Sequence, residues 1–170
     1  IDGVVSLSQE TFQPSTHTKT SVLFMTKGKG NNSKKIFMSI AKNVGHNKNG
    51  KLVFKTDKNG EVVFSKNGIP ELLDDVPLVT ERIKKLQKGI RTNNDHFGYL
   101  LPKDKLHDYI YIPEYYNPEI DAELMAKSNS GKFQIKSIGE LIDSGIVKIT
   151  RGKEIGSNYY GTGDIPFVRT

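Results

Sequence analysis

The stretch GVVSLSQETFQPSTHTKTSVLFMT, residues 3–26, decides the fold because it contains two apolar runs joined by a polar loop. The first run, residues 3–7, is short and β-branched, and the second, residues 21–25, is apolar almost throughout. Apolar runs of this length, bounded by turn residues, predict buried strands. A strand that is apolar on both faces needs cover on both faces, as in α/β sheets. The stretch therefore predicts an α/β fold with two buried strands.

The segment that follows predicts further strands and one main helix. Residues 36–40 are typical of a third strand, and the Asn-Gly pairs at 49–50 and 59–60 indicate tight turns beside short strands. Pro70 suits a first helical turn, Asp74, Asp75 and Pro77 allow a second start, and Gly89 suits a helix end. Between them, apolar residues at i, i+4, i+7 and i+11 predict one face of a helix: Val79, Ile83, Leu86 and Ile90.

The second half of the chain predicts shorter elements. Residues 99–102 favour a strand, and the Tyr- and Pro-rich run 109–118 is typical of a segment that lies along a surface. Ser137 and Glu140 have the spacing of a capping box, so a helix should begin there and end at Gly145. Residues 146–150 alternate as a half-buried strand should, and residues 166–168 would begin another strand.

Composition limits the classes of function. The chain has 170 residues, of which 35% are hydrophobic and 26% charged, which is typical of one globular domain or two small ones. Cys is absent, which excludes disulfides, thiolate metal sites and a Cys nucleophile, and fits a cytoplasmic location. The four His have no ligand spacing, so we predict no metal site. No apolar run is long enough to cross a membrane.

The positive charge is concentrated in the first third. Residues 1–60 hold 10 Lys and 3 acidic residues, a difference of +7, whereas residues 61–170 hold 15 Lys and Arg against 16 acidic residues, a difference of −1. A localised basic excess is expected of a protein that binds a polyanion. A solvated Lys-rich surface without a partner is an equally good reading of the charge alone.

The stretch that opens the chain also resembles a known family. Its pattern V-S-L-x-x-x-T-F-x-P-x-T-x-x-K-T-S-V-L-F is similar to the last two sheet strands of the adenine-N6 DNA methylases of restriction–modification systems. The resemblance covers the type I modification subunits and the fused methylase–specificity enzymes. It continues in residues 37–45 with Asn49-Gly50-Lys51 behind them, and residues 165–170 resemble the start of a target-recognition domain.

The resemblance implies a domain organisation. Residues 1–90 would be the C-terminal part of a Rossmann-like methylase domain with a small β extension and a helix. Residues 91–132 would be a linker, and residues 133–170 the start of an α+β target-recognition (specificity) domain. Both ends look cut, so we expect a fragment. In the parent, residues 21–25 would be a central strand; in the fragment they would leave an apolar edge that favours self-association.

The resemblance also implies what this chain lacks. A methylase of this family binds S-adenosylmethionine at a Gly-rich turn and holds the target adenine with an Asn/Asp-Pro-Pro-aromatic motif. Neither motif occurs between Ile1 and Thr170. We therefore predict no catalytic or cofactor-binding residue in this chain, and expect S-adenosylmethionine to bind elsewhere in the parent.

The predicted partner is double-stranded DNA, with specificity and restriction subunits as further partners. The resemblance implies that the loop of residues 13–20 faces the DNA cleft near the pocket for an extruded base. Lys and Arg side chains can hold phosphates or guanine edges, and Tyr can contact sugars. The predicted DNA-contacting residues are Gln13, Thr16, His17, Lys19, Thr20, Lys27, Lys29, Lys34, Lys35, Lys148, Arg151, Lys153, Tyr159, Tyr160 and Arg169.

Two other classes of function stay open on the sequence. The chain could be a non-enzymatic DNA- or RNA-binding specificity module that has no methylase half. It could also be a protein-interaction domain whose basic character is incidental. For the loop 13–20 the plainer alternative is an ordinary polar connection, and for Tyr159 and Tyr160 it is packing beneath a loop.

Overall fold

A computed structural model of the chain describes residues 1–28, 34–90, 93–151, 156, 158, 160 and 161. The chain divides into two compact units, Ile1–Ala126 and Lys127–Thr170. The strands are β1 (Gly3–Ser6), β2 (Ser21–Phe24), β3 (Lys35–Ile40) and β4 (Tyr99–Pro102). The helices are α1 (Val76–Gln87), α2 (Pro118–Asn129) and α3 (Ile138–Asp143), with short 3₁₀ turns at Gln9–Phe12, Lys103–Lys105 and Pro113–Tyr116.

The four strands form one mixed sheet in the order β2–β1–β3–β4. β1 and β3 are parallel, whereas β2 is antiparallel to β1 and β4 is antiparallel to β3. With few helices beside it, this sheet makes the fold mixed α+β. β4 lies within the predicted linker and yet is part of the sheet. The three-part division at residues 90 and 132 stays a prediction.

β1 and β2 differ in burial although both are apolar. Every residue of β1 is buried, as predicted. The prediction of a buried strand at residues 21–25 is wrong, because in the described part of the chain β2 pairs with β1 alone and lies at the sheet edge. Val22, Leu23 and Met25 are 42%, 48% and 68% exposed. The predicted apolar edge is therefore present at β2.

The core lies on both faces of the sheet because successive strand residues point to opposite faces. One face carries Val4, Ile36, Met38, Tyr99 and Leu101, against which Leu106, Tyr111 and Tyr116 pack. The other face carries Val5, Phe37 and Ala41, and α1 covers it with Val79, Ile83 and Leu86. Part of the Tyr-rich run 109–118 thus lies along the sheet, as its sequence predicts.

Most of the predicted apolar face of α1 is confirmed, and of its two predicted starts the second is observed, with Asp75 as the N-cap and Pro77 in the first turn. Gly89 has a φ of +71° and donates to Leu86 O at 2.9 Å, and Ile90 N donates to Lys85 O at 2.9 Å, which is a Schellman ending. Ile90 therefore lies beyond the helix and is half-exposed. The predicted helical turn at Pro70 is wrong, because Pro70 pairs with Phe64 in an antiparallel bridge.

Residues 44–74 form a branched ribbon, by which we mean short antiparallel pairs that meet at two junctions. At the first junction Val53 N donates to Gly45 O, Leu73 N to Val53 O and Gly45 N to Leu73 O, at 2.8–2.9 Å. At the second, Val63 N donates to Lys55 O, Glu71 N to Val63 O and Lys55 N to Glu71 O, at the same distances. Each junction is thus a closed ring of three backbone hydrogen bonds.

Three tight turns end the branches of this ribbon: residues 47–50, 57–60 and 65–68. Each begins with Asn, Asp or Ser and continues Lys-Asn-Gly. The last amide donates to the first carbonyl at 2.9–3.0 Å, and each Gly has a φ between +71° and +87°. Asn, Asp and Ser favour the first position of a type I turn, and Gly tolerates the left-handed conformation at the last.

The second unit contains α3 and its predicted capping box. Glu140 N donates to Ser137 Oγ at 3.1 Å, and Ser137 N donates to Glu140 Oε2 at 2.6 Å. The strand predicted at residues 146–150 is wrong, because this segment pairs with no strand in the described part of the chain. Its Ile146 and Ile149 are 68% and 70% exposed. The strand predicted at 166–168 lies outside the described residues.

Candidate nucleic-acid interface

The carboxyl ends of β1 and β3 meet at one edge of the sheet because these two strands are parallel. The loop of residues 13–20 follows β1 at this edge, and the branched ribbon follows β3. Between the strand ends lies a cleft of about 450 Å³. Its walls include Ser8, Lys19, Lys42, Glu114 and Asn117. We call this end of the sheet the carboxyl edge.

The Glu114 carboxylate connects three segments at the carboxyl edge. Its Oε1 accepts a hydrogen bond from Ser6 Oγ at 2.5 Å and from Lys19 Nζ at 2.6 Å. Burial acts to raise the pKa of this carboxyl, but the hydrogen bonds from Lys19 and Ser6 outweigh it and hold the pKa below its ordinary value. The charged carboxylate therefore holds the loop 13–20 against the end of β1.

A second ionic group lies beyond the end of β3. His96 Nδ1 and Glu119 Oε1 are 2.7 Å apart, and the His96 backbone N–H donates to the same oxygen at 3.2 Å. The His96 hydrogen bond is the main cause of the lowered pKa of Glu119. Lys42 Nζ lies 3.7 Å from Glu119 Oε2. The two acidic groups thus neutralise part of the positive charge at the carboxyl edge.

The loop 13–20 is held by hydrogen bonds among its own neighbours. Gln13 Nε2 and His17 Nδ1 are 2.9 Å apart, and Gln9 Nε2 donates to His17 O at 3.1 Å. Thr16 Oγ1 donates to Thr18 Oγ1 at 3.2 Å. Among the described residues, buried oxygens of Ser8, Gln13 and Thr20 have no hydrogen-bond partner. Hydrogen bonds thus fix the conformation of the loop, while one side-chain oxygen each of Gln13 and Thr20 within it has no partner among the described residues.

The predicted DNA-contacting residues do not lie together. Gln13, Thr16, His17, Lys19 and Thr20 lie at the carboxyl edge. Lys27, Lys34 and Lys35 follow the end of β2 or begin β3, so they lie at the opposite end of the strands. Lys148, Arg151 and Tyr160 belong to the second unit. The other predicted contacts lie outside the described residues: Lys29, Lys153, Tyr159 and Arg169.

The sequence analysis missed the residues that hold this edge together. Glu114 lies 95 positions from Lys19 and 108 from Ser6, and no local pattern connects them. The third tight turn, residues 65–68, was also missed, although its Lys-Asn-Gly repeats that of the two predicted turns. The shared Lys-Asn-Gly is the sequence signal that predicts this third turn.

The described residues provide little for a metal or a nucleotide cofactor. No group of three or more His, Cys, Asp or Glu side chains in this part of the chain could hold a metal ion. A dinucleotide-type turn needs glycines between a strand and a helix. β1 is followed by Leu7-Ser8 and β3 by Ala41-Lys42, so neither carboxyl end has that turn. In the described part of the chain, the carboxyl ends of these two strands therefore lack the glycine turn of a dinucleotide-type site.

The length and the apolar character of a helix decide whether it can cross a membrane. Within the described residues, no helix has the length and apolar character needed to cross a bilayer.

Comparison of the chain with protein-family models, with curated proteins and with solved structures found no match.

Proposed function

We propose that this chain is the DNA-contacting part of an adenine-N6 DNA methylase of a restriction–modification system. The observation that carries the proposal is the position of the loop 13–20 at the carboxyl edge of two parallel strands. Open α/β sheets bind ligands outside the carboxyl ends of their parallel strands, and the parallel pair β1 and β3 gives this mixed sheet one such edge. The pattern by which the chain resembles the methylases includes this same loop.

The edge of the sheet supports a continuation of the methylase domain. β2 has β1 on one side and no strand on the other in the described part of the chain. Its side chains are apolar and exposed, which is costly for a strand that stays unpaired. Further strands of a Rossmann-like sheet would cover them, and those strands would carry the S-adenosylmethionine site and the catalytic motif.

Double-stranded DNA is the partner that the charge supports best. Residues 1–60 carry an excess of +7, a localised basic excess is typical of polyanion binders, and contacts between lysines and phosphates release counterions. The second unit would begin the target-recognition domain, with Lys148 and Arg151 as further contacts. Specificity and restriction subunits would complete the assembly, which would act in the cytoplasm.

One observation favours a different function, protein interaction. The branched ribbon exposes five large apolar side chains to between 39% and 63% of their area: Leu52, Val62, Phe64, Ile69 and Leu72. Exposed apolar groups that lie together mark protein-binding surfaces more often than nucleic-acid interfaces. This second candidate predicts binding that does not weaken with salt.

Fluorescence anisotropy with a labelled DNA duplex tests the proposal. The logarithm of the affinity should fall linearly with the logarithm of salt concentration, with a slope of roughly 0.9 for each phosphate contact. Single-stranded RNA of the same length serves as the comparison and should bind more weakly. Absence of DNA binding, or an affinity that salt does not change, would contradict the proposal.

A further inference from the structure

The first tight turn of the branched ribbon, residues 47–50, lies beside the loop 13–20. A Cβ atom built on Gly50 would be 3.6 Å from Pro14 Cδ, which is an ordinary van der Waals distance. The base of the same ribbon borders Ser8 and Lys42 in a smaller cleft. This turn is therefore part of the carboxyl edge, although it follows the loop by about thirty residues in sequence.

Backbone hydrogen bonds fix the conformation of this turn. Asn47 Oδ1 accepts from the N–H groups of Asn49 at 2.9 Å and Lys51 at 3.1 Å. Asn47 N donates to Lys51 O at 2.9 Å, and Gly50 has a φ of +74°. These bonds use the Asn47 side chain and the backbone of residues 47, 49 and 51, and they leave the side chains of Lys48 and Lys51 exposed. A lysine on a held turn loses less backbone entropy on binding than one on a mobile loop.

The three turns share their geometry but differ in charge. Residues 47–51 contain Lys48 and Lys51 and no acidic residue, a net charge of +2. Residues 57–61 contain Lys58 against Asp57 and Glu61, a net charge of −1. Residues 65–69 contain Lys66 alone, a net charge of +1. A type I turn accepts most residues at its second position, so its geometry does not require Lys there.

We infer that the first turn and the residue that follows it, with Lys48 and Lys51, form a second phosphate-binding element that extends the DNA interface from the loop 13–20. The inference rests on the proposed function, because the phosphates are those of a DNA backbone. The two lysines contact phosphates without reading bases, so they position the duplex along the carboxyl edge. The second and third turns, with the same fold and a less positive charge, do not share this role.

The test compares two double variants of the full chain by DNA anisotropy over a series of salt concentrations. Lys48→Gln with Lys51→Gln removes two charges from the first turn. Lys58→Gln with Lys66→Gln removes two charges from the other two turns and is the matched control. The first pair should lower the salt slope by roughly 1.8, and the control pair should leave it nearly unchanged. Lys48→Arg with Lys51→Arg should retain the wild-type slope.

The outcomes separate this inference from the proposed function. If wild-type chain binds DNA but the two Gln pairs weaken it equally, the first turn has no special role and the inference is wrong. If neither pair changes binding, the inference is wrong as well, and the exposed Phe64 and Ile69 then favour a protein partner for the ribbon. If wild-type chain does not bind DNA, both proposals fail. Circular dichroism of each variant verifies that the fold is retained.

Discussion

At the scale of single residues, Glu114 has the largest structural role at the carboxyl edge. It accepts hydrogen bonds from Ser6, which is 1% exposed, and from Lys19 on the loop 13–20. Asp75 has a comparable role nearby, since its Oδ2 accepts from the backbone N–H groups of Lys42 at 2.9 Å and Asn43 at 2.8 Å. These two carboxylates set the position of the loop and of the ribbon relative to the strands.

Glu114→Ala should lower the free energy of unfolding by about 1–3 kcal/mol, because the buried Ser6 hydroxyl then has no acceptor. Urea unfolding followed by circular dichroism measures this change. Glu61→Ala, at an exposed position of the second turn, is the control and should change stability by less than about 0.5 kcal/mol. Equal losses in the two variants would show that the hydrogen bonds of Glu114 do not stabilise the fold.

Glu114 also predicts a pH dependence. Its pKa in the folded chain lies below the ordinary value of 4.5, so the unfolded chain binds the proton more readily. The contribution is therefore fully present above about pH 4.5 and is lost as the pH falls through the folded pKa. Glu114→Gln should make the fall in stability below pH 4.5 shallower than in the wild type. Parallel stability curves for the two proteins would contradict this assignment.

At the scale of elements, β2 is the feature with the clearest consequence. Its outer edge, which has no partner strand among the described residues, and its exposed Val22 and Leu23 provide a template for pairing with a second copy of the chain. We expect self-association at high protein concentration, measured by light scattering. Leu23→Lys should reduce it, because a charge on an edge strand opposes pairing. A monomer at every concentration, with the backbone amides of residues 22–25 protected from exchange, would argue against this role.

The elements also show what the sequence could predict. The spacing of Val79, Ile83 and Leu86 in α1 and the capping box of α3 act within a few residues, and both are confirmed, whereas Ile90 lies beyond the helix. The burial of β2 and the strand at 146–150 were predicted wrongly. Whether a segment forms a buried strand depends on the strands that pair with it, and the sequence of the segment alone does not identify them. The turns at 47–50 and 57–60 were predicted, but not the ring junctions that join them. Glu114 could not be assigned to the site because its partners are distant in sequence.

At the scale of the whole molecule, the chain should bind DNA without performing methyl transfer. The carboxyl ends of β1 and β3 lack the glycine turn that a nucleotide cofactor needs. We therefore expect no binding of S-adenosylmethionine in a calorimetric titration and no methylation of adenine by the purified chain. Micromolar cofactor binding would contradict the proposal that this chain contributes DNA contacts and no catalytic site.

The most direct test of the central proposal is to map the DNA contact on the 170-residue chain by amide chemical shifts. The isotope-labelled protein would be titrated with a DNA duplex at low salt. The account predicts that the largest changes occur at the carboxyl edge, in residues 13–20 and 42–51, and disappear as salt is added. Changes confined to Lys27, Lys34 and Lys35, or no changes at all, would contradict a DNA interface at this edge.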